Sequence, residues 1–500
     1  MKLRCPFLSV VGLMIGIAGL AVPRPASADI FQWEYINPAD PSQGKQPSAT
    51  LAAGGAGVSA VPNAALGYRN LTKGYLIGAD LTGAGFLYAN LTIADLGNAN
   101  LVNAVLADAN FNGAEVRGAD LQLTTQWGFT AAQLYSTASY QNHDLTGIVL
   151  GGNDLAGWNF AGQNLTNASL YGATLTNSTF TGAEVRGANF EITTGFIAAQ
   201  LYSTASYQNH DLSGINFGGN DLTGWNFAGQ NLTNASFGFT HLTGTNFTGA
   251  EVRGANFISL NHDNGFTAAQ LYSTASYQNR DLTGINLVAN NMQGWNFAGQ
   301  NLTGVNFLGA NLTGADTRGA FFFPDPSLSV MTNLIRTNGH VAGLDLTAGQ
   351  SLLVRNYHGN AAPIVIDQHL AMDSTGALKL IFDADTWDSL ISFAPGIPVS
   401  LGGTLELAFA AGVDVDAEMG RTFQLFDWTG VTPTGSFSVA SPHAWDLSQL
   451  YTSGEVTLIP EPAVICLIVP FALLTARRTE RRQRPSARSK KYGQGIGNPD

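Results

Sequence analysis

Three tryptophans at equivalent positions could form a ligand site. Trp158, Trp225 and Trp295 each stand in the same stretch, GWNFAGQNLT. Exposed in a row, their rings would form platforms on which sugar or peptide groups could stack. The alternative is that each indole fills a slot sized for alanine and serves as a packing anchor, which needs a widened interior. The sequence favours packing and leaves the ligand platform open.

The last third of the chain contains the other side chains with chemical potential. Asp383, Asp385 and Asp388 in DADTWD are close enough for a calcium loop, but the glycine and the downstream glutamate of such a loop are missing. We therefore predict an ordinary acidic turn. No nucleophile elbow or phosphate loop is present. The histidines of this region, which lack zinc-ligand spacing, are His340, His358, His369 and His443. We predict no catalytic residue, no metal site, no cofactor and no enzymatic activity.

The element that must position the tryptophans has a period of five residues. Large apolar residues recur at this spacing in four blocks, 71–121, 145–190, 212–257 and 282–322. Five is the period of neither an amphipathic helix nor a strand. The residues predicted to form the core include Leu76, Leu81, Phe86, Leu91, Leu96, Leu101, Phe160, Phe227 and Phe297.

Units such as GADLT, YANLT and GANLT resemble the pentapeptide-repeat family. The resemblance implies a right-handed quadrilateral β-helix, in which four pentapeptides make one coil and the central Leu or Phe points inward. Each central side chain then stacks on its counterpart twenty residues earlier. A stack of repeats can be stable in this way although the only cysteines are Cys5 and Cys466.

A longer repeat is superimposed on the short one. GFTAAQLYSTASYQN and its two relatives predict helical inserts near 128–143, 195–210 and 265–280. Thr130 and Gln133 fit a capping box, and Ile197 removes the capping side chain from the second copy. We expect each helix to span about three turns and to project from the β-helix or pack beside it. Repeated GAEVRGA units predict outward ion pairs.

Both ends of the chain carry export signals. Lys2, Arg4, an apolar run and Ala26-Ser27-Ala28 predict a signal peptide over 1–28. Pro460-Glu461-Pro462, an apolar segment at 463–476 and a basic cluster then follow one another. This order resembles the PEP-CTERM sorting signal of planctomycete-like secreted proteins, in which an exosortase removes the tail. The basic residues of the predicted signal are Arg477, Arg478, Arg481 and Arg482.

The predicted domain organisation follows from these features. Residues 29–68 form an N-terminal leader or cap, and 69–322 the mainly β solenoid with its helical inserts. Short β-rich runs separated by turns predict a sandwich-like domain at 323–459. The sorting signal spans 460–484 and a disordered tail 485–500. The segment 463–476 would hold the chain in the membrane before processing, or permanently without it.

The charge distribution and the predicted export signals together narrow the range of functions. Residues 29–476 hold 12 basic and 33 acidic side chains, which disfavours nucleic-acid binding. A gyrase-protecting DNA mimic, known among cytoplasmic pentapeptide proteins, conflicts with export. We predict a non-enzymatic cell-surface or extracellular-matrix scaffold, exported by Sec-type machinery and matured by exosortase, whose partners are polysaccharide or surface proteins. The alternative is a polysaccharide-binding protein or polysaccharide-active enzyme on a β-helix.

Overall fold

The computed structural model describes residues 29–259, 264–321, 329–357, 363–383 and 387–460. The signal peptide at 1–28, the sorting signal from Glu461 onward and the tail at 485–500 lie outside these ranges. Across the described ranges, none of the helices has the length and hydropathy needed to cross a membrane.

Residues 64–259 and 264–321 form a β-helix in which each regular coil holds four pentapeptides. Parallel bridges join residues twenty positions apart, as from Asn70 to Asn90 and on to Asn110. Such bridges recur at every fifth residue, so each coil has four sides. At the corner after Leu76, Gly78 has a φ of +61°, a left-handed conformation that glycine adopts without a steric penalty. This explains why glycine and asparagine follow the central residue by two positions.

The interior of the four-sided β-helix is a continuous apolar column. Every core residue named from the sequence has a relative exposure of 1% or less, and the alanines two positions earlier line the same interior. Burying each Leu or Phe contributes about 1.5–3 kcal/mol. The residues in question are Leu76, Leu81, Phe86, Leu91, Leu96, Leu101, Phe160, Phe227 and Phe297.

Three coils are enlarged by helical inserts. Asp120 pairs with Val149, so this coil holds nine residues more than the usual twenty. The predicted single helix of about three turns is wrong, because each insert is divided into two short helices by an extended threonine. In the first insert this residue is Thr137 (φ −70°, ψ 151°), and Thr204 and Thr274 take its place in the other two. The helices are α1 Ala131–Ser136, α2 Ala138–Gln141, α3 Ala198–Tyr202, α4 Ala205–Gln208, α5 Ala268–Tyr272 and α6 Ala275–Gln278. They form part of the coil wall, and Leu134 of α1 is fully buried in the core.

An antiparallel hairpin precedes the first coil. Strands β1 Phe31–Tyr35 and β2 Lys45–Leu51 pair with each other, and a short 3₁₀ turn at Pro41–Gln43 lies between them. Strand β1 also bonds to the first coil, because the amide of Trp33 donates to Lys73 O at 2.9 Å. The hairpin is therefore attached to the side of the β-helix.

The segment predicted as a β-sandwich is a second β-helix, and the sandwich prediction is wrong. Its strands pair in parallel with the strand three places later, which gives three sheets, β3-β6-β9, β4-β7-β10-β13 and β5-β8-β11-β14. A sandwich requires strands that pair within two facing sheets, mostly antiparallel. The strands are β3 His340–Val341, β4 Leu344–Leu346, β5 Ser351–Arg355, β6 Ile364–Ile366, β7 Leu370–Met372, β8 Ala377–Phe382, β9 Ile391–Phe393, β10 Val399–Leu401, β11 Thr404–Phe409, β13 Thr434–Gly435 and β14 Ser438–Ala440.

A small antiparallel sheet completes the second β-helix. It has the order β12-β16-β15, with β12 Thr422–Gln424, β15 Trp445–Asp446 and β16 Glu455–Leu458. One short 3₁₀ turn lies in the first β-helix, at Thr125–Trp127, and another in the second, at Val415–Glu418.

At the corner between consecutive strands of the second β-helix, a Cβ on Gly376 would lie 1.9 Å from Leu346 O. Only glycine permits the coils to stack this closely.

A buried arginine joins the two β-helices. Arg318 in the last four-sided coil is fully buried, and its guanidinium donates twice to Asp316 Oδ2, at 2.7 and 3.0 Å. It also donates to Ser389 Oγ at 2.9 Å and to Arg355 O at 3.1 Å, both in the second β-helix. The Tyr357 ring lies 5.6 Å from the guanidinium carbon. The charge is thus compensated by partners from both β-helices.

We expect Arg318→Met to destabilise the protein strongly, because it leaves the Asp316 carboxylate buried without its cation. Breaking a buried pair on one side costs about 3–5 kcal/mol. Urea unfolding followed by circular dichroism measures the loss. Arg253→Met is the control, since its half-exposed ion pairs are worth at most about 1 kcal/mol. Equal shifts of the two midpoints would contradict the assigned role of Arg318.

Candidate functional site: the three helical inserts

Each insert interrupts the coil-to-coil hydrogen bonds of the β-helix. In regular coils the alanine carbonyl accepts from the amide one coil later, as Ala79 O does from Asn100 N at 2.9 Å. Ala109 O would accept from residue 130 in the same way, but Thr130 instead begins a helix. The carbonyl is therefore left for another donor. An unpaired buried carbonyl would cost about 1–3 kcal/mol.

A glutamine side chain replaces the missing backbone amide. Gln133 Nε2 donates to Leu106 O at 2.7 Å and to Ala109 O at 2.9 Å. Its Oε1 accepts from the Thr130 amide at 2.7 Å, which completes the predicted capping box. One side-chain amide thus serves both the helix start and the coil before it.

The same arrangement recurs in the other two inserts. Gln200 Nε2 donates to Leu175 O and Ser178 O at 2.8 and 2.7 Å, and Gln270 bonds correspondingly. Ile197 in the second copy has no side-chain acceptor, so only the Gln200 half of the capping box remains. The interpretation that Ile197 removes the cap is therefore correct only for the half that needs a side-chain acceptor at the N-cap.

Two tyrosines replace the backbone on the other side of each insert. Tyr140 Oη donates to Asn159 O at 2.9 Å, and Tyr135 Oη accepts from the Asn159 amide. The pair therefore takes the place of a strand that would have bonded both groups of Asn159. Tyr202 with Tyr207 and Tyr272 with Tyr277 repeat this arrangement at Asn226 and Asn296.

Burial makes both phenols of the third insert hard to ionise. It raises the pKa of Tyr272 from 10.0 to about 12, and it also raises the pKa of Tyr277. Both hydroxyls therefore keep their protons at neutral pH, so Tyr277 can donate to Asn296 O while Tyr272 accepts from Asn296 N.

The tryptophans lie beneath the inserts rather than on the surface. Trp158 is 7% exposed, and its ring lies 5.8 Å from Phe129 and 6.5 Å from Tyr135, measured between ring centroids. Trp225 and Trp295 are 9% and 7% exposed and have equivalent neighbours. With their faces covered in this way, the rings anchor the inserts to the coil. The ligand-platform alternative would require uncovered ring faces.

The remaining candidate residues do not converge on a reactive centre. Asp383 pairs with Arg355 at 3.2 Å, and Asp388 accepts from the Tyr357 amide at 2.6 Å. His340 contacts Asp367 and His369 contacts Asp345, at 2.7 and 2.9 Å. His443 packs on the Phe409 ring. His358 and Asp385 lie outside the described residues, and within those residues no three His, Cys, Asp or Glu side chains are placed to hold a metal.

The repeated Glu and Arg residues form pairs within and between coils. Arg186 lies 3.9 Å from Glu184 and 3.6 Å from Asp211 of the next coil. Arg253 makes the same two contacts with Glu251 and Asp281, at 3.7 and 3.6 Å. The outward ion pairs expected from the GAEVRGA units are therefore local to each copy.

Replacing the substitute amide should destabilise the β-helix. Gln200→Leu removes the donor of Ser178 O and one of the two donors of Leu175 O, which keeps the Ser178 amide at 3.1 Å. Leaving the Ser178 carbonyl unpaired costs about 1–3 kcal/mol. We expect a lower urea midpoint than in Gln126→Leu, the control at an exposed glutamine. A Gln200→Leu protein as stable as the control would show that the Ser178 carbonyl finds another partner.

The raised pKa of Tyr272 makes stability depend on alkaline pH. The contribution of the protonated Tyr272 hydroxyl to the free energy of unfolding is complete below the unfolded pKa of about 10. It is lost as the pH rises towards the folded pKa of about 12. In that window the unfolded chain binds fewer protons, so the free energy of unfolding falls with pH. Tyr272→Phe should fall less steeply between pH 9 and 11.5, measured by urea titration. Tyr68→Phe, at a ring that is 73% exposed, is the control for the removal of a phenol hydroxyl.

Comparison with known proteins agrees with the coil geometry. The family described as Pentapeptide repeats, in 8 copies, matches residues 89–125, 144–191, 211–249, 221–257 and 281–318. A search of curated proteins gives no match.

Several solved structures are similar to this chain. HetL of Nostoc sp. strain PCC 7120, a pentapeptide repeat protein involved in heterocyst differentiation regulation, is 20% identical with a TM-score of 0.15, over 53% of this chain and 94% of HetL. QnrB1, a plasmid-mediated fluoroquinolone resistance protein, is 10% identical with a TM-score of 0.14, over 52% of this chain and 84% of QnrB1. A pentapeptide repeat protein of the Arabidopsis thaliana thylakoid lumen is 19% identical with a TM-score of 0.08, over 36% and 71% of the two chains. Likeness at this level says nothing about function. Residues 89–125, 144–191, 211–257 and 281–318 are nonetheless pentapeptide repeats, by sequence match and by the twenty-residue bridges of the regular coils.

Proposed function

We propose that the protein is an exported, non-enzymatic scaffold of the cell surface or extracellular matrix, which supports adhesion or contact with proteins and polysaccharides. The observation that carries this proposal is how the repeated polar side chains are used. The glutamine and both tyrosines of every insert bond to backbone groups of adjacent coils. Residue types that repeat in this chain therefore serve rigidity, as expected of a spacer or presenting element.

The proposed cellular location rests on the two ends of the sequence. The signal-peptide pattern at 1–28 supports Sec-type export. The order of Pro460-Glu461-Pro462, the apolar segment and the basic cluster supports sorting and removal of the tail by an exosortase. Before processing, or without it, the segment 463–476 would hold the chain in the membrane with residues 29–459 outside the cytoplasm.

A polysaccharide-active enzyme is the second candidate, and one observation favours it. A polar cleft of about 540 Å³ lies beside the N-terminal hairpin and contains Asp95, Glu115 and Asp144. Release of reducing ends from a polysaccharide by the purified chain would favour this candidate over the scaffold.

The location and C-terminus of the mature protein test the proposed function. We expect protease treatment of intact cells to release peptides from residues 29–459, and mass spectrometry to find a terminal peptide ending near Pro460. A cytoplasmic marker protein, which should remain uncut, is the control. A chain that retains Arg477 and Arg478 and is shielded from protease would contradict surface sorting.

A further inference from the structure

The cleft beside the hairpin lies where the N-terminal hairpin covers part of the outward face of the β-helix. Tyr35 and Lys45 of the hairpin form one wall, and the outward face of successive coils forms the floor. Its volume of about 540 Å³ lies within the range of about 300–1,000 Å³ typical of small-molecule sites. The equivalent faces at the second and third copies have no hairpin above them.

Three carboxylates from consecutive coils stand in a column on this floor. Asp95 and Glu115 are bridged neighbours, and Asp144 occupies the same outward position one coil later. Neighbouring coils are about 4.8 Å apart, so like charges would repel unless they are compensated. Asp95 is compensated by Lys45 Nζ at 2.7 Å, and Asp144 by Arg117 at 3.4 Å.

Glu115 differs from its two counterparts in the later copies. Glu184 and Glu251 lie within 4 Å of Arg186 and Arg253, whereas no cation of the described residues is that close to Glu115. Its Oε2 accepts only a neutral bond, from Ser139 Oγ at 3.0 Å. In the copy beneath the hairpin, Glu115 therefore has no ion-pair partner among the described residues and can bind a cation that a ligand supplies.

The chain itself places an ammonium group at the head of this column. Lys45 Nζ contacts Asp95 and lies 4.2 Å from the centroid of the Trp33 ring. A cation held between a carboxylate and an aromatic face is a favourable arrangement. Glu115, one coil further on, and Tyr35 line the same cleft. The centroid of the Tyr35 ring lies 6.0 Å from Lys45 Nζ.

We infer that the cleft binds an amine-bearing sugar unit, with its ammonium group on Glu115. Ser42, Asn98 and Asn142 line the same cleft and offer donors and acceptors to the sugar hydroxyls. The Tyr35 ring provides a surface for the apolar face of the sugar. This inference deepens the proposed function and rests on it, because it names the class of polysaccharide that the scaffold contacts.

Calorimetric titration of the full chain with a glucosamine tetramer, at about 0.15 M salt to screen long-range attraction, tests the inference. We expect one site per chain. Glu115→Gln should weaken binding about tenfold or more, because a charge-assisted bond is replaced by a neutral one. Glu251→Gln, the matched change at the Arg-paired copy that the hairpin does not cover, should leave affinity unchanged. The N-acetylglucosamine tetramer, which lacks the ammonium group, should bind about tenfold more weakly.

A second variant separates binding from folding. Tyr35→Ala alters only the hairpin wall and should weaken the same titration, while thermal unfolding of both variants checks that the coils are intact. Equal losses in Glu115→Gln and Glu251→Gln would reduce the effect to general attraction and overturn the inference. Absence of binding, or Glu115-dependent binding of a lysine-rich peptide instead of the sugar, would also overturn it.

The outcome for the cleft is distinguishable from the outcome for the proposed function. A chain that is exposed at the cell surface but does not bind the glucosamine tetramer contradicts the cleft inference alone. A chain shielded from protease that retains its tail contradicts the surface proposal, whatever affinity it shows in titration.

Discussion

The structure depends on one constraint, which is that every backbone group at the edge of a coil must find a partner on the next coil. In a β-helix the coils are stacked at the spacing of neighbouring strands. An unpaired buried amide or carbonyl costs at least as much free energy as a satisfied hydrogen bond contributes. Regular pentapeptides meet the constraint without side chains, because each coil repeats the last. The inserts meet it with Gln133, Tyr135 and Tyr140, whose amide and hydroxyls stand where backbone would have been. This explains why these residue types recur in all three copies.

The junction between the two β-helices is governed by the same requirement. A four-sided coil and a three-sided coil have different outlines, so their edges cannot match at every residue. Arg318 has five N–H donors in a rigid fork, and it reaches Asp316 in one β-helix and Ser389 and the Arg355 carbonyl in the other. A long planar cation can bridge an irregular gap that short backbone groups cannot. Its burial is tolerable because an anion and neutral acceptors surround it.

The sequence predicted the first β-helix well and the second poorly, for a physical reason. A five-residue period has no other structural explanation, so the inward position of residues such as Leu76 and Phe86 follows from it directly. Alternation of apolar residues, as in β5 and β8, is common to sandwiches and β-helices and does not reveal which strands pair. A signal was nevertheless present: apolar-x-apolar, a turn and a longer apolar-alternating strand recur from Leu344, Leu370 and Val399. That recurrence at 26 and 29 residues is typical of stacked coils.

The candidate site was predictable only in part, because its chemistry depends on neighbours rather than on the repeat. The need for a widened interior at Trp158 could be inferred from a large ring in an alanine slot. The different state of Glu115 could not, because its own repeat unit is the same as those of Glu184 and Glu251. What differs is the surrounding structure: Lys45 and Tyr35 approach the first copy from the hairpin, whereas Tyr357, which follows the repeats, lies beside Gly299 at the third. Duplication thus produced equivalent surfaces, and the segments at either end of the first β-helix made them unequal. A ligand that distinguishes the three copies of the long repeat must therefore contact those flanking segments as well as the repeat.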